Sequence, residues 1–330
     1  MDQRIELLAG RDVPDRAAFR DGAARPRRGR AAADTSPIPG RSSLAWWLSG
    51  ALVVASLVAA VPTFVWPGLL HGPAVSIGTA RGTALIVSVV AVPVLVGSML
   101  AAARGSVRAL ITWLGAAVYL LYNSVLFLFG TPFNQLFLLY VAMFSLSLWA
   151  IGSTIVASDV GALHRLVSDS LPARSVAVFT WVVVVLNSLA WLGGIVPTIA
   201  DATPGSFLVG SGMTTNPVYV QDLAIWLPLA AVGAGWLWRR EAWGFLLTAT
   251  LLVFWVIESV GIATDQWFGA RADSTTDFAN AAVAPAFLIA AVVVAVPAAL
   301  MLRAVAPASE EHRPDPHPQR GAETVDRGVS

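Results

Sequence analysis

Residues 119–140 read YLLYNSVLFLFGTPFNQLFLLY. Two apolar runs meet there across the turn Gly130-Thr131-Pro132-Phe133, with the amides Asn123, Asn134 and Gln135 on either side. Neither run has the charged face that a surface helix of a water-soluble protein turns outward. Read as a membrane hairpin, the segment puts its turn at one interface and its amides in or near the bilayer. The rest of the chain is similar material. The expected fold class is therefore all-α, a polytopic transmembrane helical bundle.

Composition agrees. Over 330 residues the mean hydropathy is +0.70, with 56% apolar and 12% charged residues, outside the range of soluble domains. The absence of cysteine excludes disulfides, thiolate metal sites, iron–sulfur clusters and cysteine nucleophiles. The four histidines, at 71, 164, 312 and 317, all lie outside the apolar runs, which argues against haem held between helices. All 21 basic side chains are arginine, so no lysine is available for a Schiff base. HExxH, GxSxG and GxxxxGK[ST] do not occur, so no catalytic residue, metal or cofactor is expected. The net charge of +1 gives no reason to expect nucleic acid as a partner; the expected partner is the lipid bilayer.

Residues 1–43 are Arg-rich and Pro-containing and read as a disordered tail, as do residues 304–330. Between them, 44–303 holds apolar runs of about 20 residues, each long enough to cross a hydrocarbon core of about 30 Å. They are expected at 44–65, 83–103, 109–129, 134–156, 175–199, 220–238, 243–263 and 281–302, giving eight helices. Arg104, Arg108, Arg165, Arg174, Arg239, Arg240 and Arg303 fall in alternate gaps or after the last run, whereas the opposite gaps hold Arg81 and Arg271. The positive-inside rule then puts both termini in the cytoplasm of a plasma (inner) membrane protein. Trp46, Trp47, Trp66, Trp236, Trp238, Trp243 and Trp267 fall near predicted helix ends, as interfacial anchors do.

Sliding the chain along itself by about 135 residues aligns Val61-Pro62-Thr63 with Val196-Pro197-Thr198. The same shift pairs Trp46 with Trp181, Pro93 with Pro228, Arg104 with Arg239 and Asn123 with Glu258. A 4+4 parallel internal repeat, related by an axis along the membrane normal, would produce this pattern; chance matches among common residues are the alternative. If it is real, the paired prolines set matched kinks.

Glu258 is the most informative single residue. Its run, FWVIESVG, places a carboxyl inside the bilayer, where it costs several kcal/mol unless neutralised, paired or wetted. Such residues mark ion paths and proton relays, although a Glu bonded to a neighbouring helix also holds helices together. The candidate intramembrane polar site comprises Glu258, Asn123, Tyr119, Tyr122, Asn187, Asp222 and Asn134. Amides and hydroxyls commonly glue helices, and Asp222 in the first turn of its helix complements the dipole, so each also has a structural explanation. Asp201, Asp265, Asp273 and Asp277 are expected in outer loops as solvated charge. Asn123, Asn134, Gln135, Asp222 and Glu258 map to the outer half or its external edge, which suits an externally open polar vestibule with Glu258 at its floor.

Tyr122-Asn123 through Phe129-Gly130, then Phe133-Asn134 and Leu136-Phe137-Leu138-Leu139-Tyr140, resembles a segment of multi-pass bacterial membrane proteins of no known activity. The resemblance covers the third and fourth runs and extends to Asn216-Pro217 and Asp222-Leu223. It implies an eight-helix-type membrane fold and carries over no catalytic role. The function expected is small-solute or cation- or proton-linked transport, or channel-like conduction. The alternatives are an enzyme acting on a lipid-linked substrate at the outer leaflet, with Glu258 or Asp222 as acid or base, and a sensor or assembly subunit.

Overall fold

The computed structural model describes residues 38–66, 68–201 and 205–306. The expectations for tail residues 1–37 and 307–330 lie outside the described residues. Among the described residues, eight helices are long and apolar enough to cross a membrane: α1 (Leu44–Val65), α2 (Ala74–Ala102), α3 (Val107–Gly130), α4 (Phe137–Val156), α5 (Ala173–Asp201), α6 (Pro217–Trp238), α7 (Ala242–Ala272) and α8 (Ala281–Arg303). The chain is an integral membrane protein built as an all-helical bundle. Among the described residues, extended backbone pairs only at the bridge between Val167 and Val305.

Two helices run longer than their sequence announced. α2 begins at Ala74 and α7 continues to Ala272, so Arg81 and Asp265 are helical residues and not loop charges. Gly78 and Gly82, which precede the expected start of the second run at 83, are spaced to let two helix backbones touch. A Cβ on Gly78 would stand 2.5 Å from the Phe268 carbonyl oxygen, and one on Gly82 would stand 2.8 Å from the Asp265 Cα. The Arg81 Nε donates to the Phe64 carbonyl at 3.1 Å and its guanidinium covers the Phe64 ring, so its charge is accommodated beside the helix. α4 starts later than expected, at Phe137, because Asn134 closes its own turn. Its Oδ1 accepts the Leu136 N–H at 2.9 Å and its Nδ2 donates to the Pro132 carbonyl at 2.8 Å.

α7 is the centre of the bundle, packed against α2, α3, α6 and α8. α3 lies beside α2, α4 and α7, and α1 lies along α4 and α2. The short connections do make antiparallel neighbours of α2, α3 and α4, and of α6 and α7. By contrast α5 packs chiefly on α6 and is the least enclosed span. Trp47, Trp66, Trp236, Trp238, Trp243 and Trp267 are exposed near helix ends, whereas Trp46 packs edge-on against Trp113. The seven arginines at the α2–α3, α4–α5 and α6–α7 connections and after α8 make one end of the bundle arginine-rich.

At the 135-residue offset two local features coincide, whereas the widened turn Leu126–Gly130 of α3 has no counterpart in α7, which is regular over 261–265. A widened π-helical turn spans Val87–Ala91 in α2 and another spans Asp222–Trp226 in α6, each just before a proline, Pro93 or Pro228. Proline lacks the N–H of a regular turn and clashes with the carbonyl four residues back, and a widened turn absorbs both. Gly105 and Arg240, with φ of 92° and 58°, follow α2 and α6 at the same offset. There the N–H of Ser106 returns to the Ala101 carbonyl, and that of Glu241 to the Trp236 carbonyl.

Candidate functional site

α3 and α7 cross closely because Gly115 has no side chain: a Cβ there would lie 2.5 Å from Val253 and 3.0 Å from the Thr250 carbonyl oxygen. One end of this seam, away from the arginines, carries the polar cluster. Glu258 is 7% exposed, and its Oε2 accepts the Asn123 Nδ2–H at 3.1 Å. The same Nδ2 also donates to the Tyr119 carbonyl at 3.1 Å, which fixes the amide's orientation. The Tyr119 hydroxyl is buried with no hydrogen-bond partner among the described residues. A Cβ on Gly261 would lie 3.1 Å from that hydroxyl and 3.8 Å from Glu258 Oε2, so the bare glycine leaves the phenol and the acid facing a common space.

Two further acids flank Glu258. Asp265 lies seven residues on, about 10 Å along α7 at the helical rise. Both of its oxygens receive the Thr83 hydroxyl, at 3.1 and 3.0 Å. Asp222 opens the widened turn of α6 and is 8% exposed. Its Oδ2 accepts the Trp191 Nε1–H at 2.9 Å, and the Tyr122 hydroxyl reaches the same carboxyl. The Tyr122 ring is set between Trp226 and Phe254, with centroids at 6.2 and 5.3 Å. No arginine or histidine pairs with any of the three among the described residues, where their donors are neutral N–H and O–H groups.

Of the candidates read from sequence, Glu258, Asn123 and Tyr119 come together, and Tyr122 and Asp222 form an adjoining cluster. Asn134 does not join them, because its side chain is used in its own turn. Asn187 does not join them either: it is half-buried on α5 with no hydrogen-bond partner among the described residues. Asp265, Thr83 and Trp191 were missed. Asp265 had a signal, since seven residues from Glu258 is two turns on one helical face; Thr83 and Trp191 had none.

The expected open vestibule is shut. Glu258 is enclosed, and the loops over the arginine-poor end interlock. Gly72 abuts Pro132, Gly212 abuts Pro73 and Gly210 abuts Thr276, while the Ser76 hydroxyl donates to the Ser211 carbonyl at 2.6 Å. Gly210 and Gly212 have φ of 78° and 72°, a left-handed backbone that glycine adopts without strain. Toward the arginine-rich end the seam is closed by Phe254, Leu251, Leu252 and Leu114. Among the described residues no three acid or histidine side chains converge as a metal would require. No family model matches the chain, and neither curated proteins nor solved structures gave a match.

Proposed function

We propose that the protein carries protons or a small cationic solute across a bacterial plasma membrane, with Glu258 as the group whose charge is cancelled and restored. The observation behind this is an acid well inside the seam whose bonded partner is a neutral amide, Asn123. A carboxylate so placed costs several kcal/mol unless a proton or cation accompanies it, whereas an amide would hold the helices together without that cost. Asp265 and Asp222 bring the same chemistry toward the arginine-poor end. The arginine bias makes that end external and both termini cytoplasmic.

The recurring offset supports the same site. Asn123 and Glu258 are 135 residues apart and bonded, as are Ser76 and Ser211, and Gly115 abuts Thr250 at the same offset. In a two-fold arrangement only residues on the axis meet their own counterparts. In this account α1–α4 and α5–α8 are parallel repeats, and Glu258 lies on the axis between them. Transporters built from repeats hold coupling ions near mid-membrane at such an interface.

The test is proton and cation flux in proteoliposomes, wild type against Glu258→Gln, which keeps an acceptor for Asn123. The expected result is flux on the order of tenfold lower or more in the variant, with unfolding unchanged. Equal flux in the two proteins sinks the proposal. A helix-holding core is favoured by a different observation, that Glu258, Asp265 and Asp222 each have a hydrogen-bond donor and the arginine-rich side of the seam is apolar. On that account both proteins are inert and only stability differs.

A further inference from the structure

The arginine-rich end holds a second charged feature, unrelated to Glu258. After α8 the chain is strapped to the α4–α5 connection. Val305 bridges Val167, the Ser168 N–H donates to the Ala304 carbonyl at 2.8 Å and the Ala306 N–H donates to the Leu166 carbonyl at 2.9 Å. Arg108, from the first turn of α3, donates Nε and Nη2 to the Val305 carbonyl at 3.0 and 2.7 Å. This fixes one guanidinium at the edge of a cleft of about 380 Å³ whose other charged walls are Arg165 and Arg303. Among the described residues no Asp or Glu lines it, and Arg165 and Arg303 have no hydrogen-bond acceptor or ion-pair partner.

Arg303 ends α8 and Arg165 ends the short helix Val160–Arg165, where positive charge complements a helix C-terminus. That accounts for one arginine per helix but not for three converging on one space. The neighbouring cleft shows the contrast. It shares Arg165 and adds Arg240, but Asp169 and Glu241 line it, and Arg240 is spent on the carbonyls of Asp169 and Leu171. Charge is balanced there and unbalanced beside it. Three guanidinium groups around one opening repel each other unless an anion lies between them. Their planar, forked donors match phosphate oxygens, and the volume exceeds that of a bare phosphate.

We infer that the cleft of Arg108, Arg165 and Arg303 binds a phosphate-bearing anion at the membrane surface. The phosphate comes from an anionic lipid headgroup or from free phosphate, and basic clefts between spanning helices suit either. The experiment uses the full chain in phosphatidylcholine nanodiscs. In one arm phosphatidylglycerol replaces part of the lipid and retained lipid is counted by native mass spectrometry. In the other, inorganic phosphate is titrated and thermal unfolding is followed.

Wild type is expected to show a saturable gain in at least one arm, weakened about tenfold by Arg165→Gln with Arg303→Gln. Arg239→Gln removes the same charge from the same end but outside the cleft, and is expected to leave the gain within about twofold. A gain with phosphatidylglycerol alone assigns the headgroup. A gain with phosphate assigns a site open to the free anion. No saturable gain in either arm, or equal weakening by Arg239→Gln, overturns the inference. Unfolding without ligand checks each variant, and Arg165→Gln alone serves if the double variant is unstable.

Discussion

The second helix and the sixth each widen by one turn before a proline, and the two turns carry different chemistry. In the first quartet the widened turn opens with Val87, and α1 lies along α4 with the Thr63 and Tyr140 hydroxyls 3.1 Å apart. In the second the widened turn opens with Asp222, α5 leans on α6 with Trp191 bonded to that acid, and Glu258 and Asp265 follow on α7. That turn is therefore indifferent to charge: the room before a proline holds a valine in α2 and a carboxyl in α6. A carboxyl kept inside a span against a cost of several kcal/mol calls for a use.

The largest expected effect comes from separating the quartets. Gly78→Val places a Cβ against the Phe268 carbonyl, where backbone has to move, and should destabilise by about 1–3 kcal/mol in detergent unfolding. Gly97→Ala meets nothing within 4 Å and should be neutral or stabilising by up to about 1 kcal/mol. Similar behaviour of the two variants would mean that the α2–α7 seam does not join the halves. A smaller effect compares the pair that crosses the quartets with a pair inside one. Double-mutant cycles should give about 1–2 kcal/mol for Asn123 with Glu258 and about 0.6 kcal/mol for Thr63 with Tyr140. Equal couplings would strip the acid of any special role in holding the seam.

Much of the fold was legible because length and apolarity are enough to define a span, and because arginines punctuate alternate gaps. The two long helices were not legible at their ends. Gly78 and Gly82 have a purpose in a helix only once the partner backbone is known, and Asp265 looks like loop charge until Thr83 is beside it. The site was read in part: Glu258 and Asn123 could be paired through the offset, which happens to be their contact. Asn134 was misplaced because local turn chemistry used its amide first. Trp191 has its role only through Asp222, a relation between helices that no spacing along one chain reveals.

Two smaller effects sharpen the second quartet. Trp191→Phe removes one donor from Asp222 and should cost about 0.5–1.5 kcal/mol in unfolding; no change would mean that α5 is held by packing alone. Outside the spans, Asp273 accepts the Thr275 hydroxyl at 2.6 Å and its N–H at 2.9 Å, which hold its carboxyl below the usual range. The folded value lies below the unfolded one, so the contribution is present above the unfolded value of about 4 and is lost as pH falls through the folded value. Hydrogen exchange at the Thr275 amide should stay slow at about pH 4 and speed up below it. Asp273→Asn should remove that dependence.

The most direct measurement uses the absence of cysteine. Asn123→Cys puts a single thiol beside Glu258 while keeping the acid, and a membrane-impermeant thiol reagent is applied to the arginine-poor face of proteoliposomes. If the enclosed acid is reached by water from that side during a working cycle, the thiol is modified there. A thiol that stays unreactive in the folded protein, and reacts only once the protein is unfolded, would contradict the account and leave Glu258 as a helix-holding group.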